Sequence, residues 1–179
     1  MSPAEVPLED AQEQIAHHAH QSADRWVLGV ALTAAVLAAC AAVTALMAEH
    51  HANEAMIDQI QCSDQWNFYQ AVRLKAGLLD TKIDLLTALE KKPDAKDHAK
   101  RDKYKKQQEA IRETATEKQR ASEQHLREHA VLARGVTMFQ VAIAVGAIAV
   151  LTNQRTFWFV SLAFGLVGAI FLVWGLLAV

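Results

Sequence analysis

The chain has little that cross-links or stiffens a small domain. Two cysteines occur in 179 residues, Cys40 inside an apolar run and Cys62 beyond it, which is no basis for an intrachain disulfide framework. Of three prolines only Pro93 lies past residue 7, so long stretches carry no helix breaker. Six of the seven glycines sit within or at the start of apolar runs, and neither a glycine-rich phosphate loop nor a nucleophile elbow is present. A formal net charge of -2 carries no nucleic-acid footprint. These absences leave catalysis little to stand on, and the chain reads as a non-enzyme with no catalytic residue.

What is abundant is apolar sequence, 52% of residues, segregated from the 21% that are charged. Residues 26–48, 135–151 and 157–179 are almost purely apolar, and each approaches or exceeds the roughly 17 to 25 residues a helix needs to cross a bilayer. The middle run gains a turn, to 131–151, if Arg134 snorkels. Transmembrane helices are therefore expected at 26–48, 131–151 and 157–179. The polar, acidic tail 1–25 carries His17, His18 and His20. It precedes a run too long for a typical secretory h-region, so the first helix reads as a retained anchor.

Between the first two apolar runs lie residues 49–130, with 15 of the 18 Lys and Arg and with only Gly77 and Pro93 as breakers. That composition is helical. In "KKPDAKD" (91–97), lysines at a helix end precede a proline and aspartates suited to capping the next helix, which marks a tight reversal. The expected fold is all-α: an integral membrane protein with three transmembrane helices and a long extramembrane antiparallel helical hairpin between the first and second, its arms at 49–90 and 97–130. The arms do not match in apolar width. The first carries Ala71, Leu74, Leu78, Leu85 and Leu89 on one stripe and Val72, Leu79, Ile83 and Leu86 beside it, wider than one partner helix covers. The second offers Tyr104, Ile111, Ala115, Ser122 and Leu126 at 3.5-like spacing. A leucine ridge left in water is unfavourable, so a second copy of the chain is the natural cover, with Leu74, Leu78, Leu85 and Leu89 as the oligomer seam.

The apolar runs also look built to pack. Ala31, Ala35 and Ala39, and likewise Ala34, Ala38 and Ala42, repeat every four residues, as do Ser161, Gly165 and Ala169, with Gly168 alongside. Small residues at that spacing let membrane helices approach closely, within or between chains. Trp26 and Trp158 are expected at one interface and Trp174 near the other. The orientation signals conflict: Lys118, Arg120 and Arg127 favour a cytoplasmic hairpin, whereas Glu49, Glu54, Asp58 and Asp64 beside the first span favour the opposite.

Two stretches carry potential chemistry. If the hairpin closes as described, His50, His51 and Glu54 from "EHHANE" (49–54) meet His125 and His129 from "HLREH" (125–129), a donor set of imidazole and carboxylate suited to zinc. The competing reading is a band of interfacial polar residues that needs no cofactor, or a pH-responsive histidine cluster. "HLREH" also fits the H-x-x-E-H pattern of inverted zinc metalloproteases, without a cleft-forming domain around it. The central apolar zones hold no Asp, Glu, Lys or His, which argues against a proton relay. Thr33, Thr44 and Gln140 remain candidates to line a pore in an oligomer, against the alternative that they bond within or between neighbouring helices.

The acidic tail before Trp26, "HHANEAMIDQIQCSDQWNFYQA", "VLARGVTMFQVAIA" and "FWFVSLAFGLVG" together resemble a bacterial family known only as domain of unknown function 4337. The resemblance covers roughly residues 8–179. It implies three membrane spans with a polar helical insertion and residence in the bacterial inner membrane, and it implies no reaction. "SDQWNFYQ" (63–70) resembles a family hallmark, and its aromatics suit a packing knot better than a ligand pocket. The resulting expectation is a multi-pass membrane protein, in contact with lipid and with its own copies, in a structural, sensing or scaffolding role. An oligomeric channel is the alternative, and a metal-dependent enzyme the remote one.

Overall fold

The computed structural model describes residues 25–177, and among these the chain is three helices with no strand: α1 (Arg25–Ala88), α2 (Ala95–Thr152) and α3 (Arg155–Leu177). With 64 residues, α1 runs from the apolar into the charged sequence without a break, as the absence of proline there requires. All three helices are long and apolar enough to cross a membrane. The tail histidines His17, His18 and His20 lie outside the described residues.

The helix ends show why the chain turns where it does. Glu90 N–H donates to Thr87 O and Lys91 N–H to Leu86 O, at 3.0 and 2.9 Å, with Glu90 in the left-handed region at φ 54°. This is a Schellman stop. Pro93 follows, and Asp94 Oδ1 then accepts the Lys96 N–H at 2.9 Å to cap α2. The α2 end repeats the stop: Asn153 N–H donates to Val150 O and Gln154 N–H to Ala149 O, with Asn153 at φ 53°. Both turns were foreshadowed by polar breaks in the helical pattern, and neither uses glycine.

The chain divides into two compact units, one made of residues up to Ala52 and from Arg127 onward, the other of Asn53–Leu126. In the first, α1 buries Val27, Ala34, Ala41 and Ala48, seven residues apart, and between them Val30, Thr44 and His51. A strict seven-residue repeat keeps one face inward only when helices supercoil left-handedly. The four-residue alanine repeats contribute only in part: Ala34 is on this face with Ala31 packed against it, whereas Ala35, Ala39 and Ala42 are exposed. Along α3 the small residues do form the contact. Ser161, Gly165, Gly168 and Gly175 are buried, and a Cβ on Gly168 or Gly175 would stand 2.9 Å from Phe139 Cδ1 or 2.5 Å from Leu132 Cδ2. Glycine there admits Phe139 and Leu132, the two largest fully buried side chains. Ser161 Oγ donates to Ala142 O at 2.6 Å, and Trp158 Nε1 to Thr33 Oγ1 at 3.3 Å. Arg155 lies over the Trp26 ring, 5.9 Å from its centroid, which puts Trp26 and Trp158 at one end of the unit.

The second unit pairs the remainder of α1 and α2. From α1 it buries Ala55, Cys62, Val72, Ala76 and Ile83, and from α2 Ile111, Ala115 and Ser122. Contacts between the segments run in opposite chain sense: Ser122 Oγ donates to Ala55 O at 2.8 Å, Lys118 pairs with Asp58 at 3.0 Å, and Lys82 with Asp97 at 2.6 Å. Leu126 is a correction. It is 52% exposed, because after Ser122 the rhythm of three and four steps to His125.

Candidate functional site

Polar groups buried against apolar sequence are the strongest functional candidates, and each unit has its own. In the first, His51 Nδ1 lies 3.1 Å from Glu128 Oε2, and both residues are buried. His51 occupies the repeat that also buries Val30 and Thr44, so the helix's packing period is what turns the imidazole inward. Next to it, His129 Nδ1 is 2.8 Å from Ala48 O, and the exposed His50 ring sits 5.8 Å from that of His51. Here an imidazole pinned by a carboxylate replaces the water that both groups would otherwise hold.

In the second unit, His125 lies between two carboxylates of α1. Its Nδ1 is 3.4 Å from Glu54 Oε2 and its Nε2 3.9 Å from Asp58 Oδ2. Asp58 is also the partner of Lys118. Glu54 and Asp58, four residues apart, share one face of α1, and His125 and Lys118, seven apart, share one face of α2. As placed, the two carboxylates approach opposite ring nitrogens. Farther along, Arg101 donates from Nε and Nη2 to Asp102 Oδ1 at 3.0 and 2.8 Å. That bond raises the guanidinium pKa and holds the Asp102 carboxyl below the usual carboxylate range.

His50, His51 and His129 belong to the first unit, Glu54 and His125 to the second. Glu128 and Asp58, absent from the predicted set, are the partners that matter locally. The signal for Asp58 lay in phase: it is seven residues after His51, at the inward position of the same repeat. The pore candidates are partly absorbed by the chain itself. Thr44 is fully buried and donates to Cys40 O at 2.6 Å. Thr33 Oγ1 donates to Val30 O at 2.9 Å, and Gln140 is half-buried. The leucine stripe is open: Leu74, Leu78, Leu85 and Leu89 are 69, 71, 58 and 58% exposed, while Val72 and Ile83 beside them are buried.

The architecture defines a class, helical proteins with three helices long and apolar enough to cross a membrane. Within it the chain belongs to the family described as domain of unknown function DUF4337, whose model matches residues 26–178. Comparison with curated proteins and with solved structures returned no match.

Proposed function

We propose that this is a bacterial multi-pass membrane protein whose three apolar segments cross the inner membrane and whose charged segment is an extramembrane helical hairpin. Its role is that of a self-associating scaffold. The observation that carries this reading is the exposure of Leu74, Leu78, Leu85 and Leu89 on a helix that already buries its neighbouring stripe. Apolar side chains arrayed along one face amid lysines and aspartates are an interaction surface, and a contiguous patch of this kind is rare on a monomer in water. Burying a leucine contributes about 1.5 to 3 kcal/mol, so four in each copy are ample drive for assembly. No buried ionisable group lies in the centre of the apolar segments, and the polar pairs that do exist read as stays for the helices.

The test is native mass spectrometry of the detergent-purified protein, without a His tag or added chelator, beside the Leu78→Lys/Leu85→Lys variant. The reading expects a defined metal-free oligomer that falls to monomer in the variant with its helical circular dichroism retained. A wild-type monomer, or an oligomer unchanged in the variant, refutes it. A stoichiometric metal would move the function to the histidines.

A further inference from the structure

The exposed leucines belong to a longer pattern. Along α1 in the second unit a second set of positions, offset from the buried one, repeats in steps of three and four: Ile57 and Ile60, then Asp64 and Asn67, then Leu74, Leu78 and Leu85. Ala71, Thr81 and Ala88 fill the intervening places, and every one of these residues is exposed. Such a rhythm is the seam of a left-handed coiled coil. The helix therefore carries two seams, and α2 fills one.

We propose that the second seam pairs with the same seam of another copy, in parallel and in register, and that the Asp64 and Asn67 layers fix that register. The proposal rests on the self-association reading and specifies its geometry. Four observations support it. First, the large exposed apolar residues of this unit are all on α1, Leu89 just past its end and Leu126 excepted, so the face of this chain that complements an α1 stripe is another α1 stripe. Second, the extent is sufficient. The run from Ile57 to Ala88 is on the order of 46 Å long at 1.5 Å per residue and about 11 Å wide. Two copies then bury roughly 1,000 Å², the lower bound for a stable interface. Third, among pairings that cover the whole stripe, the polar positions match best in one. Parallel pairing slipped by one repeat sets Asn67 against Leu74, and antiparallel pairing about the middle of the stripe sets Asn67 against Leu78, each leaving an amide buried on leucine. In register, Asn67 meets the partner's Asn67 and lies within a layer of the partner's Asp64, so amide and carboxylate can bond. A lone polar layer selects register in this manner at a cost in stability. Fourth, copies inserted into one bilayer by the same signals point the same way, which makes their α1 helices parallel.

The test uses full-length protein with Cys40→Ala and Cys62→Ala, in membrane vesicles under mild oxidation. Parallel, in-register pairing predicts an efficient disulfide dimer from Thr81→Cys alone. It predicts at least tenfold less from differently tagged copies mixed as Leu74→Cys with Thr81→Cys, or as Ile60→Cys with Leu85→Cys. Adding Asn67→Leu with Asp64→Leu should bring the Leu74/Thr81 yield to within about threefold of the Thr81 yield. A dominant Ile60/Leu85 product overturns the parallel arrangement, and unchanged selectivity in the Asn67→Leu/Asp64→Leu background overturns the role of the polar layers. A native oligomer without any Thr81 cross-link defeats the geometry while sparing self-association; a native monomer defeats both.

Discussion

The two units bury helix against helix by different means. In the first, α3 comes close through Gly165 and Gly168, a buried serine bonds a backbone carbonyl, and almost every large side chain outside is apolar. In the second, small and branched residues of α1 and α2 meet in a narrow strip flanked by Lys118–Asp58, Lys82–Asp97 and Lys105–Asp80 pairs. Exposed leucines occur in both. Leu166 in α3 and Leu78 in α1 are 65 and 71% exposed, yet the first stands on a helix without charge after Arg155, and the second stands two residues from Asp80 and four from Lys82. On the proposed function the same exposure means lipid in one setting and an unfilled contact in the other, because the surrounding residues name the solvent.

The largest effect should come from the packing of the first unit. Phe139→Ala removes a ring that fits over Gly168, and should lower stability by about 3 to 5 kcal/mol, read by chemical unfolding in detergent. Gly168→Ala adds a methyl where 2.9 Å is available and should cost about 1 to 3 kcal/mol. If both are neutral, glycine contact is not what holds α3. A smaller effect of opposite sign sharpens the comparison at the two helix stops. Glu90→Gly should stabilise by about 1 kcal/mol, since a side chain in the left-handed region is disfavoured. Asn153→Gly should gain less, because asparagine tolerates that conformation. Equal gains would mean the stops are not limited by their φ angles.

The smallest effect belongs to the exposed Arg101–Asp102 pair. Because the folded carboxyl has the lower pKa, its contribution exists above the ordinary aspartate pKa and fades as pH falls through the lowered folded value. Asp102→Asn should therefore melt slightly below wild type at neutral pH and converge with it in acid. A gap that widens in acid would reverse the assignment.

Much of the helical layout was legible because the chain is so poor in breakers: Pro93 and the aspartates after it mark one turn, and the apolar runs mark the rest. Tyr104, Ile111, Ala115 and Ser122 were visible as a seam for the same reason. Hydrophobicity misleads over the rest, since the seam also runs through Lys118 and on to His125, charged or polar residues completed by Glu54 and Asp58 across from them. Leu126, the apolar neighbour, was chosen in their place. The alanines are a different case. In a run as rich in alanine as 31–48, four-residue repeats arise on every face, and only the partner's shape decides that Ala34 and Ala41 turn inward while Ala35 and Ala42 do not. Glu128 was hidden inside "HLREH" because its importance depends on His51, seventy-seven positions away.

The most direct measurement compares the environments of the exposed leucines. Nitroxide labels at Leu78→Cys and Leu166→Cys, in a background with Cys40→Ala and Cys62→Ala in liposomes, would be tested for relaxation by oxygen and by a water-soluble nickel chelate, with Glu113→Cys as a charged-surface control. The account predicts that the label at 166 is relaxed by oxygen alone, the label at 113 by nickel, and the label at 78 weakly by either, because another copy covers it. Strong relaxation by nickel at 78, equal to that at 113, would show the stripe standing in water and contradict the account.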